Sequence, residues 1–193
     1  LKKGKKKGRL IIPCDHIEAG TKHYYSHIIY SDDGGLNWNL GGTTPQRQVN
    51  ECTIIELKNG NLLLNMRNYT DDRLRKLSVS KDQGLSWGDL YSHQSLIEPI
   101  CQGSMINIRK TFGNEIIAFS NPNSKTNREK MTIQFSFDKA LSWPTKILIH
   151  EGPSAYSNLI QLNNHEIGCL FEGGNISAYE GIAFKKINIK KYK

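Results

Sequence analysis

Three aspartates stand at regular intervals and are the first candidates for chemistry. Asp33, Asp82 and Asp138 are 49 and 56 residues apart, and each sits inside one octapeptide. The copies run Ser31 to Trp38, Ser80 to Trp87 and Ser136 to Trp143, with the pattern Ser-x-Asp-x-(Gly/Ala)-Leu-(Ser/Asn)-Trp. Carboxylates on tight loops suit calcium, but that ion takes about six to eight oxygen ligands. One carboxylate per loop falls well short, so these aspartates are structural. An Asp accepts backbone N–H bonds inside a turn, Gly supplies positive φ, and the Trp ring packs under the hairpin. The four cysteines, Cys14, Cys52, Cys101 and Cys169, lack the close spacing of a zinc or redox motif. They read as small buried hydrophobes. The six histidines are scattered, and no metal or other cofactor is expected. Asn68-Tyr69-Thr70 and Asn175-Ile176-Ser177 fit the glycosylation sequon.

The elements that would carry these turns are strands. Each octapeptide follows an apolar or alternating run: Tyr24 to Tyr30, Leu74 to Val79, and Met131 to Phe135. Further strand pairs flank Asn59-Gly60, Gly113-Asn114 and Asn163-Asn164-His165, where Asn-Gly is the strongest short hairpin signal. No segment keeps a helical period over about ten residues. A repeat near fifty residues in a strand-rich chain marks a propeller, one unit per blade. The expectation is an all-β propeller with roughly four blades in 193 residues, at about four strands per blade.

Charge excludes less than it first suggests. The formal net charge is +8, from 26 basic and 18 acidic residues. Residues 1–9 hold six of the cations and residues 185–193 five more, with no acid in either segment. Setting those eleven aside leaves fifteen bases against eighteen acids, a net of −3. The basic N-terminal run reads as a solvated turn or frayed end. It has no interleaved aromatics to stack on bases, so nucleic acid is not an expected partner. No stretch has the ~20 apolar residues that span a bilayer, and no apolar h-region follows the basic start.

The octapeptides resemble the Asp boxes of the sialidase (neuraminidase) family, also called BNR repeats. Four further segments, in sialidase order, strengthen the resemblance: Asn50-Glu51-Cys52, Leu64-Asn65-Met66-Arg67, Phe119-Ser120-Asn121-Pro122 with Arg128 beyond, and Gly152-Pro153-Ser154-Ala155-Tyr156-Ser157. Together they cover nearly the whole chain and resemble the cellular and bacterial exo-α-sialidases more than the viral ones. The resemblance implies a six-bladed propeller of which this chain supplies about four blades. It also implies retaining hydrolysis of terminal sialic acids on glycoconjugates.

That activity explains the residue types. Sialic acid carries a carboxylate on its anomeric carbon, and arginine's planar fork binds carboxylates bidentately. The resemblance assigns Arg67 and Arg128 to that clamp. The same carboxylate would repel an acidic nucleophile, and sialidases use a tyrosine instead; Tyr156 matches it. A phenol with an ordinary pKa of ~10 needs a base to draw off its proton, and Glu51 matches that base. Glu172 matches the glutamate that orients the first clamp arginine. Gln102 matches a polar residue lining the sugar pocket, and His16 is a further candidate to face the substrate. Taken alone, the arginines would be surface ion pairs, Glu51 a solvated strand end and Tyr156 a core aromatic. Pro, Ser and Ala around Tyr156 instead make an irregular loop.

Two parts of the family's machinery have no counterpart here: the first clamp arginine and the acid/base aspartate. The chain, residues 1–193, therefore reads as the C-terminal part of a catalytic propeller. Its expected partners are sialylated glycans and the N-terminal half of the same domain. The resemblance implies an extracellular, periplasmic or lysosomal setting. The alternative reading is a non-catalytic carbohydrate-binding or interaction module built on Asp-box blades.

Overall fold

The computed structural model describes residues 1–108 and 115–190. The turn expected at Gly113-Asn114, and Lys191 and Lys193 of the basic C-terminal end, lie outside them. Thirteen strands and no helix occur among the described residues, so the fold is all-β. The chain divides into two compact units, residues 1–93 and 94–193.

In the first unit β1 (Leu10–Ile17), β2 (Tyr24–Ser31) and β3 (Asn39–Thr43) form an antiparallel meander. A second sheet follows, in the order β4 (Val49–Glu56), β5 (Leu62–Asn68), β6 (Leu74–Ser80) and β7 (Tyr91–Ile97), and the chain leaves the unit within β7. Alternation decides the faces. Ile11, Ile28 and Tyr30 turn inward onto Val49, Leu62, Leu64, Met66 and Trp87. Their neighbours Leu10 and Ile12 turn out and stay exposed.

The second unit holds a six-stranded meander of β8 (Ser104–Ile108), β9 (Ile116–Pro122), β10 (Glu129–Ser136), β11 (Thr145–Asn163), β12 (Glu166–Gly173) and β13 (Gly181–Asn188). Its core gathers Met131, Ile133, Phe135, Leu159, Ile167, Cys169 and Phe171. β11 is 19 residues long. Residues up to Pro153 pair with β10, and those from Ser154 onward pair with β12. One continuous strand thus carries the chain from one group of strands to the next, and sheets of three, four and six strands result. The segment Gly152 to Ser157, expected as a loop, lies inside this strand. Register shifts fall within it instead, between Met131 and Glu129 where it meets β10 and between Ser154 and Ser157 where it meets β12. Small residues and Pro therefore mark a strand irregularity, not a connection.

The three octapeptides fold alike. In each, the Ser hydroxyl donates to the Asp at 2.7–2.8 Å and accepts the N–H four residues on at 2.8–2.9 Å. The Asp then accepts the backbone N–H of the Asn or Ser that precedes the Trp, at 2.9 Å. Two consecutive residues take positive φ: Gly34-Gly35, Gln83-Gly84 and Lys139-Ala140. Trp87 is buried and donates to the Gly42 carbonyl at 2.8 Å, whereas Trp38 is 41% exposed and donates to Gly35 within its own turn.

Of the two readings of the basic N-terminal run, the solvated turn holds: residues 3–8 turn and stay exposed. The run is anchored and not frayed, because Arg9 at its end is 2% exposed and forks onto Asp32 at 2.7 and 2.9 Å. It also donates to the Gln83 carbonyl and lies 3.9 Å over the Tyr30 ring. A side chain of that charge is ordered by its carboxylate and its aromatic face. Of the four cysteines, all free, only Cys101 and Cys169 are buried; Cys14 and Cys52 are intermediate, on strands that approach side by side. Burial pushes the Cys52 and Cys169 thiols up to about 12, so neither is a ready nucleophile.

Candidate functional site

The candidate residues fall into two groups, one in each unit. In the first unit the pairing of β4 with β5 shifts register between Val49 and Cys52, which face Asn68 and Met66. Two residues, Asn50 and Glu51, therefore oppose the single Arg67. Such a bulge re-aims a side chain, and here the Glu51 carboxylate accepts a hydrogen bond from the Arg67 guanidinium. Arg67 is 13% exposed and Glu51 28%. The guanidinium carbon lies 5.0 Å from the centre of the Tyr69 ring, which stacks on Tyr24 and whose hydroxyl accepts from Asn50 at 3.2 Å.

Asp15, on β1, is a neighbour that sequence reasoning did not single out. Burial pushes its carboxyl above the ordinary value, the Glu51 charge adds to this, and His27, Arg67 and His16 oppose it. His16 is next in sequence but on the opposite face of β1. It stacks on Tyr25, and its Nδ1 lies 3.0 Å from that of His27. Strand alternation was the signal that separates the two.

In the second unit the irregularity of β11 places Tyr156. Its backbone N–H donates to Glu172 on β12 at 3.1 Å. The next residue is clasped by Gln102, whose amide accepts from the Ser157 N–H at 2.9 Å and donates to the Ser157 carbonyl at 3.0 Å. Both ends of the Gln102 amide are thus spent on backbone. The Ser157 hydroxyl sits 2.8 Å from that of Ser120, and the Ser154 N–H donates to the Arg128 carbonyl at 2.8 Å. Tyr156 packs against Cys101, Ala155 and Ala178. Tyr156 and Glu172 also line a cavity of about 250 Å³ with Gln102, Leu170, Phe171 and Ile182.

Arg128 stands beside this tyrosine, its guanidinium carbon 5.8 Å from the ring centre. It donates to the Ile100 carbonyl at 3.0 Å and to the Tyr179 hydroxyl at 2.7 Å. Both partners are neutral, and no carboxylate pairs with Arg128 among the described residues. Tyr179 is a second residue the sequence reading missed. Its only signal is its place beside Glu180 in a short loop that follows the Glu172 strand.

The strand order and the three Asp-box turns define the class. The model of the BNR repeat-like domain matches residues 3–170, and the chain belongs to that family. Its relatives are sialidases. The sialidase of Bacteroides fragilis is 30% identical over 190 residues, covering 95% of this chain and 34% of the relative. That of Micromonospora viridifaciens is 30% identical over 197 residues, covering 98% and 29%. Among solved structures, a Hadza microbial sialidase superposes with a TM-score of 0.85 at 28% identity, over 97% of this chain and 36% of that one. The Ruminococcus gnavus intramolecular trans-sialidase, solved with oseltamivir carboxylate, shares the fold at a TM-score of 0.79 and 24% identity, over 98% and 42%. The chain thus spans about a third of the length of these two curated relatives.

Proposed function

We propose that this chain is the C-terminal part of a retaining exo-α-sialidase propeller that acts on sialylated glycoconjugates. The observation that carries this reading is Arg128, a cation with only neutral partners beside the ring of a positioned tyrosine. A guanidinium left uncompensated in this way suits an incoming carboxylate. Arg128 and Arg67 hold the sialic acid carboxylate, and Tyr156 attacks the anomeric carbon. Glu51 takes the phenolic proton, and the glycosyl–tyrosine bond is then cleaved by water with net retention. Glu172 and Gln102 position the nucleophile through the backbone of Tyr156 and Ser157. On this reading the six-stranded sheet counts as two blades that share β11, and the chain supplies four of the propeller's six. The first clamp arginine and the acid that protonates the leaving sugar come from blades that these 193 residues do not supply. General acid help is worth about 10²–10⁴ in rate.

The test offers a fluorogenic α-sialoside to the chain alone and to the chain joined to the N-terminal blades of the Bacteroides fragilis sialidase. Turnover is expected only from the joined form, and Tyr156→Phe is expected to lose most of it. Brisk turnover by the chain alone would overturn the division of labour. Undiminished turnover by Tyr156→Phe would overturn the nucleophile.

A further inference from the structure

The loop that joins β12 to β13 is built around one carboxylate. Glu180 accepts the backbone N–H groups of Asn175, Ile176 and Ser177, each at 2.9 Å. Three N–H donors hold that carboxyl below its ordinary value. The loop is tied to β11 as well: Gly174 donates to the Pro153 carbonyl at 3.1 Å, and its own carbonyl lies 3.1 Å from His150 Nε2. Only glycine closes it, since a Cβ at 174 would lie 2.3 Å from the Ser177 carbonyl oxygen. A loop stapled at both ends cannot drift, and its next two residues reach the proposed site. Ala178 is buried in the cluster against which Tyr156 packs, and the Tyr179 hydroxyl accepts from Arg128 at 2.7 Å.

An accepting phenol keeps its own hydrogen to give. That of Tyr179 has no acceptor among the described residues, and the residue is 66% exposed. We propose that Tyr179 is a positioning residue: it fixes the Arg128 guanidinium and donates its phenolic hydrogen to the carboxylate that Arg128 holds. The inference rests on the sialidase reading for the identity of that carboxylate, and on geometry alone for the hold on Arg128. It explains why an arginine with no acidic partner is nonetheless held in one place. A fork that must meet a planar carboxylate gains from being fixed beforehand.

Two measurements on the chain and its Tyr179→Phe variant test this, with circular dichroism to show that both are folded. The first reads the Arg128 side-chain nitrogens by ¹⁵N NMR. Separate Nη signals are expected in the parent chain, and averaged ones once the phenol is lost. The second titrates the α-methyl glycoside of N-acetylneuraminic acid. Affinity is expected to fall roughly ten- to hundredfold, the range for a hydrogen bond to a charged group. Adding Tyr179→Phe to Arg128→Ala is expected to cost nothing further. Equal affinity for parent and variant, or losses that multiply, would sink the proposal. Absence of any binding by the parent chain is what the sialidase reading allows when the first clamp arginine is not supplied, and it leaves the hold on Arg128 to be read separately. The Nη signals would then decide alone: averaging on loss of the phenol supports the hold on Arg128, and unchanged signals overturn it.

Discussion

Arg67 and Arg128 are the same residue type held in opposite ways, and the difference bears on what each can bind. Arg67 meets the Glu51 carboxylate, so a substrate must share its charge. Arg128 meets a carbonyl and a phenol and keeps its full charge for a ligand. Both residues were legible in the sequence because their segments resemble sialidase motifs. Of their surroundings Glu51 was legible too, but Asp15, Tyr69 and Tyr179 were not, because they enter through strand pairing and loop closure. The buried hydroxyls of the Asp boxes are the clearest single-residue test of stability. Ser80 is 1% exposed and satisfies the N–H of Gly84 at 2.8 Å. Ser80→Ala leaves that donor buried without a partner and is expected to cost about 1–3 kcal/mol, read as a lower urea midpoint. A shift within error would mean that another acceptor or water reaches Gly84.

At the level of elements, the turns were readable and the bulges were not. Ser, Asp, Gly and Trp in fixed order gave three turns that the structure forms with one hydrogen-bond pattern. Ala140 holds a position where the other two copies place Gly, at a φ of 67°. The pattern therefore survives a residue that pays a steric cost of about 1–2 kcal/mol. The irregularities in β4 and β11 aim Glu51 and Tyr156, yet their sequences read as an ordinary strand and a loop. One inserted residue shifts a register without changing composition.

The turns also set an acid limit. Hydrogen bonds from the Asn37 backbone, the Ser31 hydroxyl and the Asn37 amide hold Asp33 at about 2. For Asp82 and Asp138 burial pushes upward, but it is outweighed by Ser86 or Ser142 and by the box serine. A carboxyl lowered by folding stabilises fully above its unfolded value near 4 and loses that contribution as pH falls toward the folded one. Thermal midpoints are expected to hold steady down to about pH 4 and to fall between 4 and 2. Asp→Asn at all three positions should lower the plateau and make the acid limb shallower, though Asp32 and Asp72, also lowered, keep part of it. An acid limb of unchanged steepness in that variant would show that the boxes do not set it.

For the molecule as a whole, the period near fifty residues announced an all-β repeat fold, and membership of the BNR repeat-like family agrees with it. What periodicity could not show is which sheet faces are covered. Inside the second unit, Leu159, Ile167, Cys169, Phe171 and Ile187 turn one face of β11, β12 and β13 into the core. The alternate residues on the other face are apolar too: Ile160 is 54% exposed, Leu170 46%, Ile182 73% and Phe184 54%. Leu170 pairs with Phe184 across the strands, so these side chains form one patch. In the first unit the outward face of β1, β2 and β3 repeats this, with Leu10, Ile12 and Leu40 at 43%, 43% and 70%. Strands that are apolar on both faces are built to be covered twice, and a contiguous exposed patch marks an interaction surface. The chain in isolation is therefore expected to self-associate, with a sedimentation coefficient that rises with concentration. Ile182→Lys with Phe184→Lys should suppress that rise, because both positions face outward and the core beneath them is untouched. A parent chain that stays monomeric over the whole range measured would mean that these faces are too small or too interrupted to recruit a partner. Association that persists unchanged in the double variant would place it on another surface, with the first unit's outward face, at Leu10, Ile12 and Leu40, the next to be substituted.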